Sequence, residues 1–317
     1  MHARANMNPL PLLETPAKSI LRRRSVRPLT GFSEGSGTVS RGAASTLHIL
    51  HRSLLVLFLG LALAAAGADI IAHRGASHDA PENTLAAFKL GWEQHADAVE
   101  LDIWLTQDGR IICLHDEDTK RTTGVAKVAS KTSLADLRAL DAGSWKDPRW
   151  KGEKLPTLEE TLAILPRGRR LVIEIKCGVE ALPELGRVLK SAGTPHAQLV
   201  IISFKFDVCA QARALWPDIP VLFLSSFKQD KATKAWTPAL DELIARAKGA
   251  KLDGINISYK GPADASWVRK THAAGLKFYV WTVDDVATAR QFLDAGTDGI
   301  TTNRPGWLRE QLGLPRP

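Results

Sequence analysis

Along residues 69–317, short apolar or β-branched runs alternate with stretches whose apolar positions recur every three or four residues. The runs at 70–72, 98–105, 171–175, 199–204, 221–224, 254–258, 278–282 and 299–302 are predicted as strands. Helical patterns lie between them at 83–95, 158–164, 181–191, 208–216, 238–248, 263–274 and 286–295. Several stop at a glycine (Gly193, Gly249, Gly275, Gly296), as helix C-termini commonly do. Eight strand–helix units in one continuous stretch predict an α/β chain folded as a TIM (β/α)8 barrel. The rival, a doubly wound sheet, requires a Gly-rich phosphate loop after the first strand, and His73-Arg74-Gly75 is not one.

Two irregular additions interrupt the repeat. A hairpin runs through Gln107-Asp108-Gly109 into residues 111–115. A polar segment at 116–156 then carries Trp145, Trp150 and one helical pattern at 133–140. It is expected to be a small insertion leaning over the barrel mouth.

Charge changes the picture upstream. Of the net +8, residues 1–68 hold +6, from eight Lys or Arg against Glu14 and Glu34, so residues 69–317 are nearly neutral. Nucleic-acid binding gains little support from that balance. The run at 54–68 is uncharged and apolar, follows Arg52 and ends in small residues. It reads as the core of a signal peptide spanning 46–68, with export to a periplasm or the exterior, and no stable membrane span is expected after cleavage. The alternative is an uncleaved N-terminal anchor, although the run is shorter than the ~20 residues a spanning helix needs. Arg22-Arg23-Arg24 lies too far upstream to serve as a twin-arginine signal. Residues 1–45 are expected to be disordered or to precede the true start. Cys113, Cys177 and Cys209 fit no metal-ligand spacing and are expected to be buried thiols.

Working residues of a barrel project from the C-terminal ends of its strands. Here those ends carry His73-Arg74, Glu100-x-Asp102, Glu174-x-Lys176 and Trp281. On a strand, residues i and i+2 share a face, so Glu100 and Asp102 point the same way, as do Glu174 and Lys176. Two carboxylates inside an apolar strand repel each other and are costly to desolvate unless something positive holds them. Glu100, Asp102 and Glu174 together suit one hard divalent cation, Ca2+ or Mg2+, better than Zn2+.

His115 enters by the hairpin. A two-residue turn at Asp108-Gly109 sets it opposite Asp102, the register the chemistry prefers, whereas a three-residue loop sets it opposite Leu101. Alone, His73 reads as a core histidine; beside Arg74, Glu100, Asp102 and His115 it reads as part of a site. Arg74 neutralises the acids or grips a phosphate, and the two roles are compatible. Lys176 is Glu174's ion-pair partner or a phosphate contact, and Trp281 is packing or a platform for the substrate. Glu82 is assigned to the helix start at Pro81, and His78, His95, His196 and His272 to structural or surface roles.

The segments HRGASHDAPENTLAAF, VELDIWLTQDGRIICLHDEDTKRTTG, IEIK, SF, VWTV and TTNRP, taken in order, resemble the motifs of glycerophosphodiester phosphodiesterases. The resemblance runs from Ile70 to about Leu312. It implies a TIM barrel with a small insertion after the second histidine motif. It also implies a metal on Glu100, Asp102 and Glu174, an acid/base pair in His73 and His115, and phosphate contacts from Arg74 and Lys176. The implied reaction is hydrolysis of a small glycerophosphodiester to glycerol 3-phosphate and an alcohol, by way of a cyclic phosphate. Two alternatives are kept: a lysophospholipase D, which an apolar groove near Trp145, Trp150 and Trp281 would favour, and a non-catalytic phosphodiester-binding relative.

Overall fold

The structure is a computed structural model that describes residues 67–317. The expected N-terminal extension, and all but the last two residues of the expected signal segment, lie outside the described residues. The chain runs β1 (Asp69–Ala72), α1 (Leu85–Glu93), β2 (Ala98–Leu105), β3 (Ile111–Cys113), α2 (Lys120–Thr123), α3 (Leu134–Arg138), α4 (Leu158–Ala163), β4 (Arg170–Ile175), α5 (Leu182–Ala192), β5 (Leu199–Ser203), α6 (Phe206–Leu215), β6 (Val221–Ser225), β7 (Lys228–Gln229), β8 (Trp236–Thr237), α7 (Leu240–Gly249), β9 (Gly254–Ser258), α8 (Ala265–Ala273), β10 (Lys277–Trp281), α9 (Val286–Asp294), β11 (Gly299–Thr302) and α10 (Pro305–Leu312).

Eight parallel strands close in the order β1, β11, β10, β9, β6, β5, β4, β2, and the ring shuts where Ile71 pairs with Ala98. This is the predicted TIM barrel. Alternation along β2 shows how the sequence builds it: Val99, Leu101 and Ile103 face outward into the shell of helices, while Ala98 joins the apolar filling of the barrel. That filling also holds Ile71, Val172, Val200, Leu222 and Tyr279. Outside, α5 turns Leu182, Leu185, Val188 and Leu189 inward at helical spacing and stops at Gly193, which takes a left-handed conformation. No helix among the described residues is long and apolar enough to cross a membrane.

Three details depart from the sequence reading. The β2–β3 connection is a three-residue loop, with Thr106 N–H donating to Arg110 O at 2.8 Å and Ile103 facing Cys113. Leu114, rather than His115, therefore lies opposite Asp102, and His115 reaches the barrel mouth from beyond the strand end. Thr106 Oγ1 and Leu134 N–H both bond to Asp108 Oδ1, at 2.6 and 2.9 Å, which stabilises the longer loop. The third departure is the β7–β8 hairpin, which the apolar pattern does not predict because nearly all of its side chains are exposed. The cysteines are free and buried, as expected.

The segment at 116–156 forms its own small core of Ala129, Leu137, Ala142 and Leu155 against Ile112 and Leu114. It is fastened to the β1–α1 loop by Lys146 Nζ to Ser77 O (2.8 Å) and by Arg149 to Asp79 O (3.1 Å). At the opposite end of the barrel, Asp97 accepts from Ile70 N–H at 2.8 Å and pairs with the buried guanidinium of Arg309 on α10. Removing one partner of a buried pair costs more than the pair contributes, because the other charge is stranded. Arg309→Ala is expected to lower unfolding free energy by about 3 kcal/mol, read from urea titration. A loss indistinguishable from that of an exposed arginine would contradict this account of the clasp.

Candidate active site

The first site residues follow β1 directly. Arg74 (φ 54°) and Gly75 (φ 81°) turn the chain back toward β2. A Cβ on Gly75 would lie 2.4 Å from the Ala87 carbonyl carbon, so only glycine lets the turn close on α1. The turn aims Arg74 N–H at Glu100 Oε2, 2.8 Å away. Asn83, also at positive φ (55°) and buried, donates from Nδ2 to Asp102 Oδ2 (2.8 Å) and accepts from Asp102 N–H (3.1 Å).

Glu100, Asp102 and Glu174 are buried together, with Asp102 level with Glu174 on the neighbouring strands β2 and β4. One oxygen from each lies within 4.8 Å of the others. Burial, and then repulsion from the other two carboxylates, pushes Glu100 well above the usual carboxylate range. Burial and Asp102 push Glu174 up to about 7. Burial also acts against ionised Asp102, but Lys176 and Arg74 overcome it and hold its carboxyl below the usual range. The two cations are close: Lys176 Nζ lies 2.8 Å from Glu174 Oε1 and 3.4 Å from Asp102 Oδ1, and Arg74 Nε lies 3.5 Å from Asp102 Oδ2. Three hard oxygen donors, incompletely neutralised by these cations, fit a divalent cation. Ca2+ and Mg2+ both match the donor set.

The two histidines are held by different partners. His73 Nδ1 lies 2.7 Å from Asn303 Oδ1. Asn303 is itself oriented by Asp284, which accepts from its backbone N–H (2.8 Å) and its Nδ2 (2.5 Å). An amide oxygen can only accept, so Nδ1 carries the proton and Nε2 is left free. Burial, and then Arg74, pushes His73 down to about 4. His115 Nδ1 lies 2.7 Å from Asp116 Oδ1, and burial also lowers His115. Both rings are therefore shifted toward the neutral form.

These groups open on one pocket of about 200 Å3, lined by His73, Arg74, Glu100, His115, Glu174 and Lys176 on one side and by Ile202, Phe204, Leu224, Asn256 and Trp281 on the other, with Thr282 and Thr301 between them. Asp102 lies beneath this lining, against Asn83. Trp281 both packs and faces the pocket: its ring meets Phe204 edge-on at 5.6 Å, and its indole N–H donates to Asn256 O at 3.2 Å. Trp145 and Trp150 do not line this pocket. His78, His95, His196 and His272 lie outside it.

Glu82 is a correction. Instead of serving the helix start, which Thr84 caps, its carboxylate binds Arg74 (2.9 Å) and Arg121 (2.7 Å to each terminal nitrogen). Arg121, on α2 of the insertion, also donates from Nε to Asp116 at 2.7 Å. One guanidinium thus ties the carboxylate that holds Arg74 to the carboxylate that holds His115. The sequence reading missed Arg121, Asn83, Asp116 and Asn303 as parts of the site. The adjacency of Asp116 to His115, and the place of all four within the quoted motifs, were the available signals.

A sequence profile described as the Glycerophosphoryl diester phosphodiesterase family matches residues 73–307. The chain belongs to this family. Among its relatives, the glycerophosphodiester phosphodiesterase of Caldanaerobacter subterraneus is 32% identical over 243 residues, covering 75% of this chain and 95% of that protein. The enzyme of the same name from Bacillus subtilis is 32% identical over 252 residues, covering 74% and 83%. Among solved structures, an Oleispira antarctica phosphodiesterase in complex with its product sn-glycerol-3-phosphate superposes with a TM-score of 0.69 at 30% identity, covering 78% of this chain and 97% of that one. These relatives are glycerophosphodiester phosphodiesterases, enzymes of the phosphoric diester hydrolase class, and the barrel described above is shared with the solved structure.

Two outcomes follow from the geometry. Arg121 is about two-fifths exposed, and exposed ion pairs contribute little to stability. Arg121→Ala should therefore leave the thermal midpoint nearly unchanged while lowering turnover about 10–100-fold, as loss of a supporting hydrogen bond commonly does. Parallel loss of stability and turnover would assign Arg121 to folding alone. Glu174, raised to about 7, must shed its proton to bind a cation. Calorimetric affinity for Ca2+ should accordingly weaken as pH falls from 8 to 6, with proton release on binding, and a pH-independent affinity would rule this out.

Proposed function

We propose that this protein hydrolyses glycerophosphodiesters to glycerol 3-phosphate and an alcohol, with one divalent cation, Ca2+ or Mg2+, held by Glu100, Asp102 and Glu174. The observation that carries this reading is the meeting of two histidines, two cationic side chains and a cluster of three buried carboxylates at one pocket, Glu100 and Glu174 in its lining and Asp102 just beneath. The product bound in the Oleispira antarctica relative supports the substrate class. A bound cation supplies charge neutralisation at a phosphoryl oxygen.

The chain's own residues then divide the work. Arg74 and Lys176 face the phosphate with charge-assisted hydrogen bonds. The free Nε2 of one histidine accepts the proton of the glycerol hydroxyl next to the ester, and that oxygen forms the cyclic phosphate. The other histidine donates a proton to the departing alcohol oxygen. In the second half-reaction water opens the ring and the two histidines exchange roles. The phosphodiester anion raises histidine basicity from the depressed resting state, which makes an imidazolium accessible. His115, backed by Asp116, is the ring better able to hold a proton, since its partner is a carboxylate and that of His73 is a neutral amide.

A lysophospholipase D reading keeps the same site and changes the substrate. Phe204, 43% exposed beside Trp281, is the observation favouring it. Export to a periplasm or the exterior is part of the proposal and is supported by the composition of residues 54–68.

The deciding assay follows glycerol 3-phosphate from glycerophosphocholine, glycerophosphoethanolamine and lysophosphatidylcholine with Ca2+, Mg2+ or chelator. Release from the two small diesters that chelator abolishes is expected. His73→Ala and His115→Ala should each lower kcat about 10²–10⁴-fold, whereas Glu174→Ala should chiefly raise the cation concentration required. Activity on the lysolipid alone selects the second reading. Retained turnover in both histidine variants would overturn the acid/base assignment.

A further inference from the structure

The wall facing the acidic residues is largely apolar, with Thr282 at its edge and one buried amide at its centre. Asn256 lies on β9, which in the barrel order stands directly across from β2, the strand of Glu100 and Asp102. In register it is level with Leu224 on one side and Tyr279 on the other. The residue is 3% exposed and lines the pocket with Ile202, Leu224, Phe204 and Trp281. Its backbone carbonyl accepts the Trp281 indole N–H, but its side-chain Oδ1 has no hydrogen-bond partner. Buried amides are almost always paired, and an unpaired one in an apolar wall is destabilising. A leucine or valine would fill the position without that cost.

We infer that Asn256 is a specificity-determining residue that hydrogen-bonds a hydroxyl or primary ammonium group on the leaving alcohol. The inference rests on the proposed function. With the phosphoryl group held by Arg74 and Lys176, a diester has two substituents to place. The glycerol must stay close to phosphorus so that its neighbouring hydroxyl can attack. The other substituent therefore extends across the pocket toward β9, where Asn256 offers an amide among Ile202, Leu224, Phe204 and Trp281. An alcohol such as glycerol or ethanolamine offers it a partner. A plain alkyl alcohol offers none, and a buried amide left unpaired in the complex discriminates against that ligand.

The test compares two synthetic diesters on the full chain, glycerophosphoglycerol and the glycerophosphate propyl ester, which differ by the hydroxyls of the leaving alcohol. The variants are Asn256→Leu and, as a control for packing, Asn256→Ala. Wild type should favour glycerophosphoglycerol in kcat/KM. In both variants that preference should fall at least tenfold, with propyl-ester hydrolysis retained and the thermal midpoint of Asn256→Leu maintained or raised. Equal loss on both diesters, or an unchanged preference, would overturn the role of Asn256 while leaving the proposed function intact. Absence of glycerol 3-phosphate from either diester with wild type would overturn the proposed function and this inference with it.

Discussion

Three carboxylates buried with oxygens within 4.8 Å of one another repel, and the upper end of this barrel is organised around that repulsion. Glu100 and Asp102 point into the barrel because strand geometry puts alternate residues on one face, and Glu174 joins them because β4 pairs with β2 in register. In a low-dielectric interior the charged forms persist only near compensating charge. Lys176 and Arg74 supply part of it, which is why Asp102 stays ionised while Glu100 and Glu174 are driven upward. The remaining imbalance fits the triad to a divalent cation, and in the proposed function the same two side chains face the phosphate.

The rest of the site braces those two cations and the histidines. Arg74 is fixed at its backbone by Glu100 and at its guanidinium by Glu82. Glu82 is shared with Arg121, and Arg121 holds Asp116 behind His115. His73 is braced separately, through Asn303 and Asp284 from the last strand and the loop before it. The insertion therefore carries a working part of the site, and its attachment to the β1–α1 loop keeps the two histidines on one pocket. The opposite wall, from β5, β6, β9 and β10, supplies apolar surface and the aromatic pair Phe204–Trp281. A pocket polar on one side and largely apolar on the other suits the orientation of the diester of the proposed function.

What the sequence determined is the barrel and the chemical core of its mouth. Strand and helix positions follow from local alternation and from turn residues, and the pairing of Glu100 with Asp102 follows from a period of two within one strand. These are short-range properties, written in consecutive residues. The hairpin register was not, because two- and three-residue loops at Gln107-Asp108-Gly109 differ by side-chain contacts that Asp108 makes with Thr106 and Leu134. Nor was the part played by Glu82, which sits where an acid suits a helix N-terminus and is taken instead by two arginines, one of them thirty-nine residues away. Arg121, Asn83, Asn303 and the orphaned amide of Asn256 acquire their meaning only from neighbours brought in by folding. Tertiary structure decided them, because hydrogen bonds and buried charges depend on distances across elements, and periodicity along the chain fixes only which face a residue occupies.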